Sequence, residues 1–437
     1  MPLSVELSTK LLGAIETDTL VFLCGAGLSM PSPSYLPSAA RVAEICYDKW
    51  LPNENLDTAL KYDVDALAGH FHARGDFASV FIPLVPWNDL AGEFNQGHVA
   101  ISDMLVSRAA HGALSANFDT MIETWAEKHK VAMQGALTGQ EATTFQSVSN
   151  PLLKFHGCMR RARNDTLWTQ GQLVEPAVAD RVQSCSNWMN LHLPGKHLVV
   201  VGFWTDWGYL NDVLAAAFNV TNALSVTVID PNTSAELQGK APDLWDKLND
   251  LSGSFTHMQE SGAAVLEELR LAYSRVWARK FYTLGKPLAD GAGVVHNPDA
   301  NALSCDQIFD LRRDAQGVSY SHAATLKEPP AGAAEAAFAH IQLLSAGAVA
   351  GGSWLNVAGR SVRIVNGQGQ GIDQMREGHK EPTTLTQADI VLCAGAVDLG
   401  VPAKLIASGK GSSVVSPAAG GGASWLTRAS ALAELGL

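Results

Sequence analysis

Short runs of β-forming apolar residues alternate along this chain with longer stretches whose apolar positions recur every three or four residues. The first run, Thr19 to Cys24 (TLVFLC), ends at Gly25-Ala26-Gly27, which predicts a buried strand entering a glycine turn. From about Ala39 to Arg108 the pattern is mostly helical, as in SAARVAEICYDKWL. A second strand at Gly112 to Ser115 ends in Ala116-Asn117-Phe118-Asp119, and a helix over Thr120 to His129 follows. Further strands are expected at Leu152 to Phe155, His197 to Val201 (HLVVV) and Ser225 to Ile229 (SVTVI). Helices are expected at YLNDVLAAAF and over about Ser261 to Phe281. Near-continuous Val, Leu and Ile runs alternating with helices are the pattern of a parallel sheet covered on both faces.

The expected fold class is therefore α/β, a Rossmann-like doubly wound parallel sheet with a helical insertion and a smaller C-terminal α/β domain. The boundaries read as a first domain at 1–285, with its insertion at about 39–110, a linker at 286–330 and the second domain at 331–437. The linker rests on composition, because Gly, Ala, Asp and Asn crowd the stretch after Gly285-Lys286-Pro287 and periodicity fades. The second domain is expected to hold a helix (AAEAAFAHIQLL), a strand (SVRIV), a helix after the glycines and a strand (DIVLCA). A helix (PAKLIAS), a strand (SSVVS) and a final helix complete it. No short tandem repeat is evident.

Composition narrows the classes. The hydrophobic fraction of 47% and charged fraction of 17% are those of a folded chain. A net charge of −12 argues against generic nucleic-acid binding, so Arg160, Arg161 and Arg163 read as a solvated loop. The six cysteines, Cys24, Cys46, Cys158, Cys185, Cys305 and Cys393, form no C-x-x-C pair, which points to reduced thiols and removes a four-cysteine zinc ribbon. His70 and His72 lack a neighbouring ligand set, so no metal is expected. No apolar run reaches about 18 residues, and MPLSVELSTK does not read as a secretory signal. These readings lead to the expectation of a cytoplasmic chain without a membrane span.

Polar residues fall at the carboxyl ends of the predicted strands, the edge where doubly wound sheets bind ligands. The turn Gly25, Ala26, Gly27 with Ser29 suits close backbone approach to a dinucleotide pyrophosphate, or equally a tight strand–helix turn. Asn117 offers a donor and an acceptor on a short neutral arm, and Asp119 binds a ligand hydroxyl or caps the helix after it. His156, before Gly157, takes a proton near neutral pH or is simply packed. Gly202 follows the HLVVV strand. Asp230, after SVTVI, holds an adenosine ribose or closes a turn before Pro231.

In this order the motifs GAGLS, NFD, FHG, VVVGFW and VID resemble the sirtuin superfamily over about residues 10–280. The resemblance is to its bacterial antiviral-defence branch. It implies an NAD-binding domain in which Asn117 and His156 are the catalytic pair. Gly25, Ala26, Gly27, Ser29, Asp119, Gly202 and Asp230 would contact NAD. The deacetylase members carry a zinc ribbon and a G-I-P-D-F-R-like stretch. This chain lacks the ribbon and reads Met30-Pro31-Ser32-Pro33-Ser34-Tyr35 in place of the stretch. What the resemblance implies is therefore an NAD hydrolase, releasing nicotinamide and ADP-ribose to deplete NAD in abortive anti-phage defence. It also implies a homo-oligomer and a regulatory partner such as a DNA-translocating ATPase or a short Argonaute. Two alternatives stay open: an NAD-dependent protein deacylase or ADP-ribosyltransferase, and a non-catalytic NAD or ADP-ribose-binding assembly module. The second domain, with its glycine-rich Ile364 to Gly371 stretch, is read as serving assembly, partner docking or nucleotide sensing.

Overall fold

Seven strands form an all-parallel sheet in a computed structural model of the chain: β1 (Leu20–Cys24), β2 (Gly112–Ser115), β3 (Gly135–Ala136), β4 (Leu152–Leu153), β5 (His197–Val201), β6 (Ser225–Ile229) and β7 (Phe255–Met258). Their order is β3-β4-β2-β1-β5-β6-β7. The structure describes residues 3–129, 131–218, 224–251, 254–312, 327–351, 354–372, 375, 388–397 and 423–437. It divides into two compact units, Met1–Glu127 with Ala132–Leu269, and Lys128–Val131 with Arg270–Leu437.

In the first unit, the short β-forming runs become the centre of the sheet. Every residue of β1 and β6 is buried, as are Leu198 to Val201 of β5. Val21, Leu23, Leu198, Val200, Val226 and Val228 join one core cluster with Trp188, Trp204 and Trp207. The fold is Rossmann-like, as expected. The helical insertion is real: Ala39–Trp50, Val64–Ala73 and Gln96–Val106 are helices, and the first two pack into a core cluster around Phe71, Phe81 and Trp87 that Met159 and Trp168 join.

Register places the ligand edge. Cys24 of β1 lies level with Ser115 of β2 and with Val201 of β5. The chain leaves β1 toward β2 and leaves β5 toward β6, in opposite directions. At such a switch point a crevice opens between the strand ends. Gly25, Ala116 and Gly202 all emerge there.

The second unit has a five-stranded mixed sheet, ordered β12-β11-β10-β9-β8. Its strands are β8 (Val349–Gly351), β9 (Trp354–Val357), β10 (Arg360–Asn366), β11 (Ile390–Ala394) and β12 (Ser424–Thr427). β10, β11 and β12 run parallel, while β8 and β9 are antiparallel to their neighbours. Helices Ala334–Ser345 and Arg428–Leu435 form where expected. The expected PAKLIAS helix and SSVVS strand lie outside the described residues.

The stretch read as a linker holds regular structure. A helix runs from Gly262 to Gly291, through Pro287. Cys305–Arg312 is a further helix, with Ile308 and Phe309 buried. Gly285 is a packing residue there. A Cβ on it would lie 2.6 Å from the backbone of Ala337 and Phe338, so only glycine lets these helices approach.

All six cysteines are buried. Among the described residues no helix is long and apolar enough to cross a membrane, and no group of three His, Cys, Asp or Glu side chains is placed to hold a metal. His72 instead meets Glu175 at 2.7 Å, and His70 bonds Arg74.

Candidate functional site at the carboxyl edge

Three glycines meet at the carboxyl ends of β1 and β5. The N–H groups of Gly25 and Gly27 donate to the carbonyls of Val201 (3.0 Å) and Gly202 (2.9 Å). A Cβ on Gly25 would sit 2.5 Å from Phe203 Cα, and one on Gly202 only 2.4 Å from the Leu28 nitrogen. Gly202 also has φ +60, a conformation side chains disfavour. The glycines are thus required by backbone-to-backbone packing of the β1 and β5 ends. Leu28 and Ser29 N–H groups close the 3-10 turn Ala26–Leu28. Ala26 itself is exposed, and it heads that turn, where an N–H has no partner within the helix.

Asn117, partly buried two residues past β2, faces this turn. Its Nδ2 donates to the Gly25 carbonyl at 3.0 Å and to Ser29 Oγ at 3.2 Å. Both amide hydrogens are therefore committed, and Oδ1 is the group left to meet a ligand. Ser29 Oγ donates to Asp119 Oδ2 at 2.9 Å, while Asp119 Oδ1 accepts from the Met121 N–H at 3.2 Å and caps helix Met121–Lys128. Asp119 thus spends both oxygens on the protein.

Two further groups join this cluster that motif reading did not single out. His98, buried in helix Gln96–Val106, has Nε2 at 3.0 Å from Ser29 Oγ. Asn95 caps that helix and also donates from Nδ2 to the Leu28 carbonyl at 2.7 Å, tying the insertion to the glycine turn. Lys154, fully buried, donates to the Asp119 carbonyl and to Glu123 Oε1 at 3.2 Å. Burial pushes the Lys154 ammonium down, but Glu123, Cys158 and Asp119 outweigh it and hold the charge. The one signal for His98 is the Asn95-x-x-His98 spacing, a capping-box arrangement with histidine as the third helical residue. Lys154 gives no signal in a strand-like apolar run.

His156 emerges at the same edge, after β4, the strand that neighbours β2. Its Nε2 lies 2.9 Å from Tyr209 Oη, and its ring is 4.8 Å from that of Trp207. It is 5% exposed. Burial, with a smaller contribution from Arg181, pushes its pKa down to about 3, so the ring is neutral and hydrogen-bonding rather than basic in this arrangement. The segment Phe203–Tyr209, leaving β5, closes over it.

Asp230 ends β6. Its Oδ1 accepts from the N–H and Nδ2 of Asn232, at 2.9 and 2.7 Å, which is the turn-closing role. Arg160, Arg161 and Arg163 are engaged locally, with Glu127, with Glu141 and over the Trp87 ring. A groove of about 460 Å³ lies elsewhere, lined by Gln140, Asp180, Asn187 and Trp188 among others.

The second sheet repeats the glycine device. Gly367 N–H donates to the Ala394 carbonyl (2.7 Å) and Gly369 N–H to the Gly395 carbonyl (2.8 Å), with Gly395 at φ +67. These bonds join the ends of β10 and β11 as the first set joins β1 and β5. Compared with family models and with curated proteins, the sequence matches none of them.

Proposed function

We propose that the carboxyl edge of the first unit binds NAD and cleaves the bond between nicotinamide and ribose, releasing nicotinamide and ADP-ribose. One observation carries this reading. At the switch point of a Rossmann-like sheet, the Asn117 carboxamide is locked against the Gly25 turn with its oxygen uncommitted. That group suits a ribose hydroxyl or an attacking water, as the sirtuin resemblance implies. The C1′–N bond breaks with its electron pair leaving on nicotinamide. Water then bonds to C1′ and releases a proton. Departure of a neutral leaving group needs no strong base, so a neutral His156 serves as a hydrogen-bond acceptor for a ribose hydroxyl.

In this reading the described arrangement is a resting one. Tyr209 takes the Nε2 edge of His156 and Trp207 lies beside its ring, and a productive complex requires Phe203–Tyr209 to move. A hydrolase that exhausts cellular NAD must be held silent, and assembly or a partner protein would supply the release. Defence against phage is the setting that the resemblance supports.

The test is nicotinamide release by the full purified chain across protein concentrations, beside Asn117→Ala and His156→Ala. Release that requires an acylated peptide points to a deacylase. Binding of NAD without turnover points to an assembly module. Full activity in both variants overturns the assignment.

A further inference from the structure

The Ser29–His98 contact has the look of a nucleophile and its base, yet its hydrogen bonds run the other way. The Asn95 backbone N–H donates to His98 Nδ1 at 3.1 Å. A backbone N–H can only donate, so Nδ1 is the acceptor and the proton of the neutral ring sits on Nε2. Nε2–H then points at Ser29 Oγ, 3.0 Å away. The single Ser29 hydroxyl hydrogen goes to Asp119 Oδ2. Its two lone pairs receive His98 Nε2–H and Asn117 Nδ2–H. Every donor and acceptor in this relay has one assignment, running from the Asn95 backbone through imidazole and hydroxyl to carboxylate.

We infer that His98 is a positioning residue: as its Nε2–H tautomer it makes Ser29 an obligatory acceptor toward Asn117, which locks the carboxamide with Oδ1 turned to the ligand. The inference rests on the reading of this edge as the reacting site, and it removes Ser29 as a nucleophile. A protonated His98 would set Nδ1–H against the Asn95 N–H. Burial keeps the ring neutral; of the charged groups around it Asp119 opposes this and Lys154 adds to it.

Glutamine and glutamate separate the idea from mere packing. A glutamine at 98 offers an oxygen for the Asn95 N–H and an N–H for Ser29, reproducing both polarities. A glutamate offers two acceptors and draws the Ser29 hydrogen away from Asp119.

The experiment uses the full chain with ¹⁵N-labelled histidine and asparagine. Nitrogen chemical shifts are expected to show His98 as the Nε2–H tautomer, titrating below an ordinary imidazole. The Asn117 carboxamide hydrogens are expected to be protected from exchange in wild type and in His98→Gln, and unprotected in His98→Glu. Nicotinamide release should fall less than about threefold in His98→Gln and at least about fiftyfold in His98→Glu, in kcat rather than KM. An Nδ1–H tautomer, or a ring titrating near its ordinary pKa, overturns the inference even if neither variant folds. So does unchanged Asn117 protection in a folded His98→Glu. If wild type releases no nicotinamide, the proposed function fails, while tautomer and protection still decide the role of His98.

Discussion

Gly27 and Gly202 meet backbone to backbone: the N–H of one donates to the carbonyl of the other at 2.9 Å, and a Cβ on Gly27 would fall 2.7 Å from Gly202 Cα. Replacing either side of this contact forces two strand ends apart. Gly202→Ala adds a positive φ to the collision and should destabilise by about 2–5 kcal/mol. Gly13, in helix Val5–Glu16, is the control, since a methyl group there would meet nothing within 4 Å. Gly13→Ala should stabilise by about 0.5–1 kcal/mol. Urea unfolding of both variants checks the contrast.

Asn117 and Ser29 should separate activity from stability. Asn117→Ala removes two partly buried hydrogen bonds and should cost about 1–2 kcal/mol, while nicotinamide release drops about a hundredfold or more. Ser29→Ala strands the buried Asp119 Oδ2 and His98 Nε2 together. It should cost more stability than Asn117→Ala, about 2–4 kcal/mol. A larger loss from Asn117→Ala would contradict the described network.

Lys154 and Glu123 form a buried pair with side chains 1% and 6% exposed. Breaking it from one side leaves an uncompensated charge, so Lys154→Met or Glu123→Gln should each cost about 3–5 kcal/mol. The double variant should cost clearly less than the two singles summed. A double-mutant cycle by urea unfolding measures this coupling.

Acid should weaken the protein through its buried histidines. His156 and His340 are pushed from 6.5 down to about 3, in both cases by burial first. Below pH 6.5 the unfolded chain binds a proton at each site and the folded chain does not. Stability is therefore complete above pH 6.5 and lost as pH falls toward about 3, at up to about 1.4 kcal/mol per pH unit for each ring. His156→Gln should flatten this dependence. Urea midpoints across the acid range read it directly.

If Phe203–Tyr209 masks His156, loosening it should raise activity. Tyr209→Phe removes the 2.9 Å bond to Nε2 and Trp207→Ala removes the ring beside it. Basal nicotinamide release is expected to rise about two- to tenfold in the first variant, a gain near 1 kcal/mol. Lower release in Tyr209→Phe would instead make the tyrosine part of the reacting arrangement.

The central strands were legible because runs of β-forming residues such as LVFLC in β1 and SVTVI in β6 have few other destinations. β3, of two residues, and β7, whose Phe255 to Met258 are only half-buried, carry too little pattern to read. At Gly285-Lys286-Pro287, residues that usually break a helix sit inside one. Gly285 is there for close packing, and composition does not distinguish that use from a turn. At the site, strand-end residues such as Asn117 were legible because polar groups after apolar runs stand out. His98 and Lys154 were not: one comes from a distant helix and the other from inside a strand-like run. Their partners are set by three-dimensional pairing rather than by spacing.

The centre of the first sheet has β1 between β2 and β5, strands drawn from widely separated parts of the chain. The glycine contacts exist only once β5, from far along the chain, has docked on β1. Opening them separates two central strands of the sheet. Occupancy by a small molecule at that edge would consequently register as a rise in the melting temperature of the entire first unit, which makes thermal-shift screening a direct way to find what it holds.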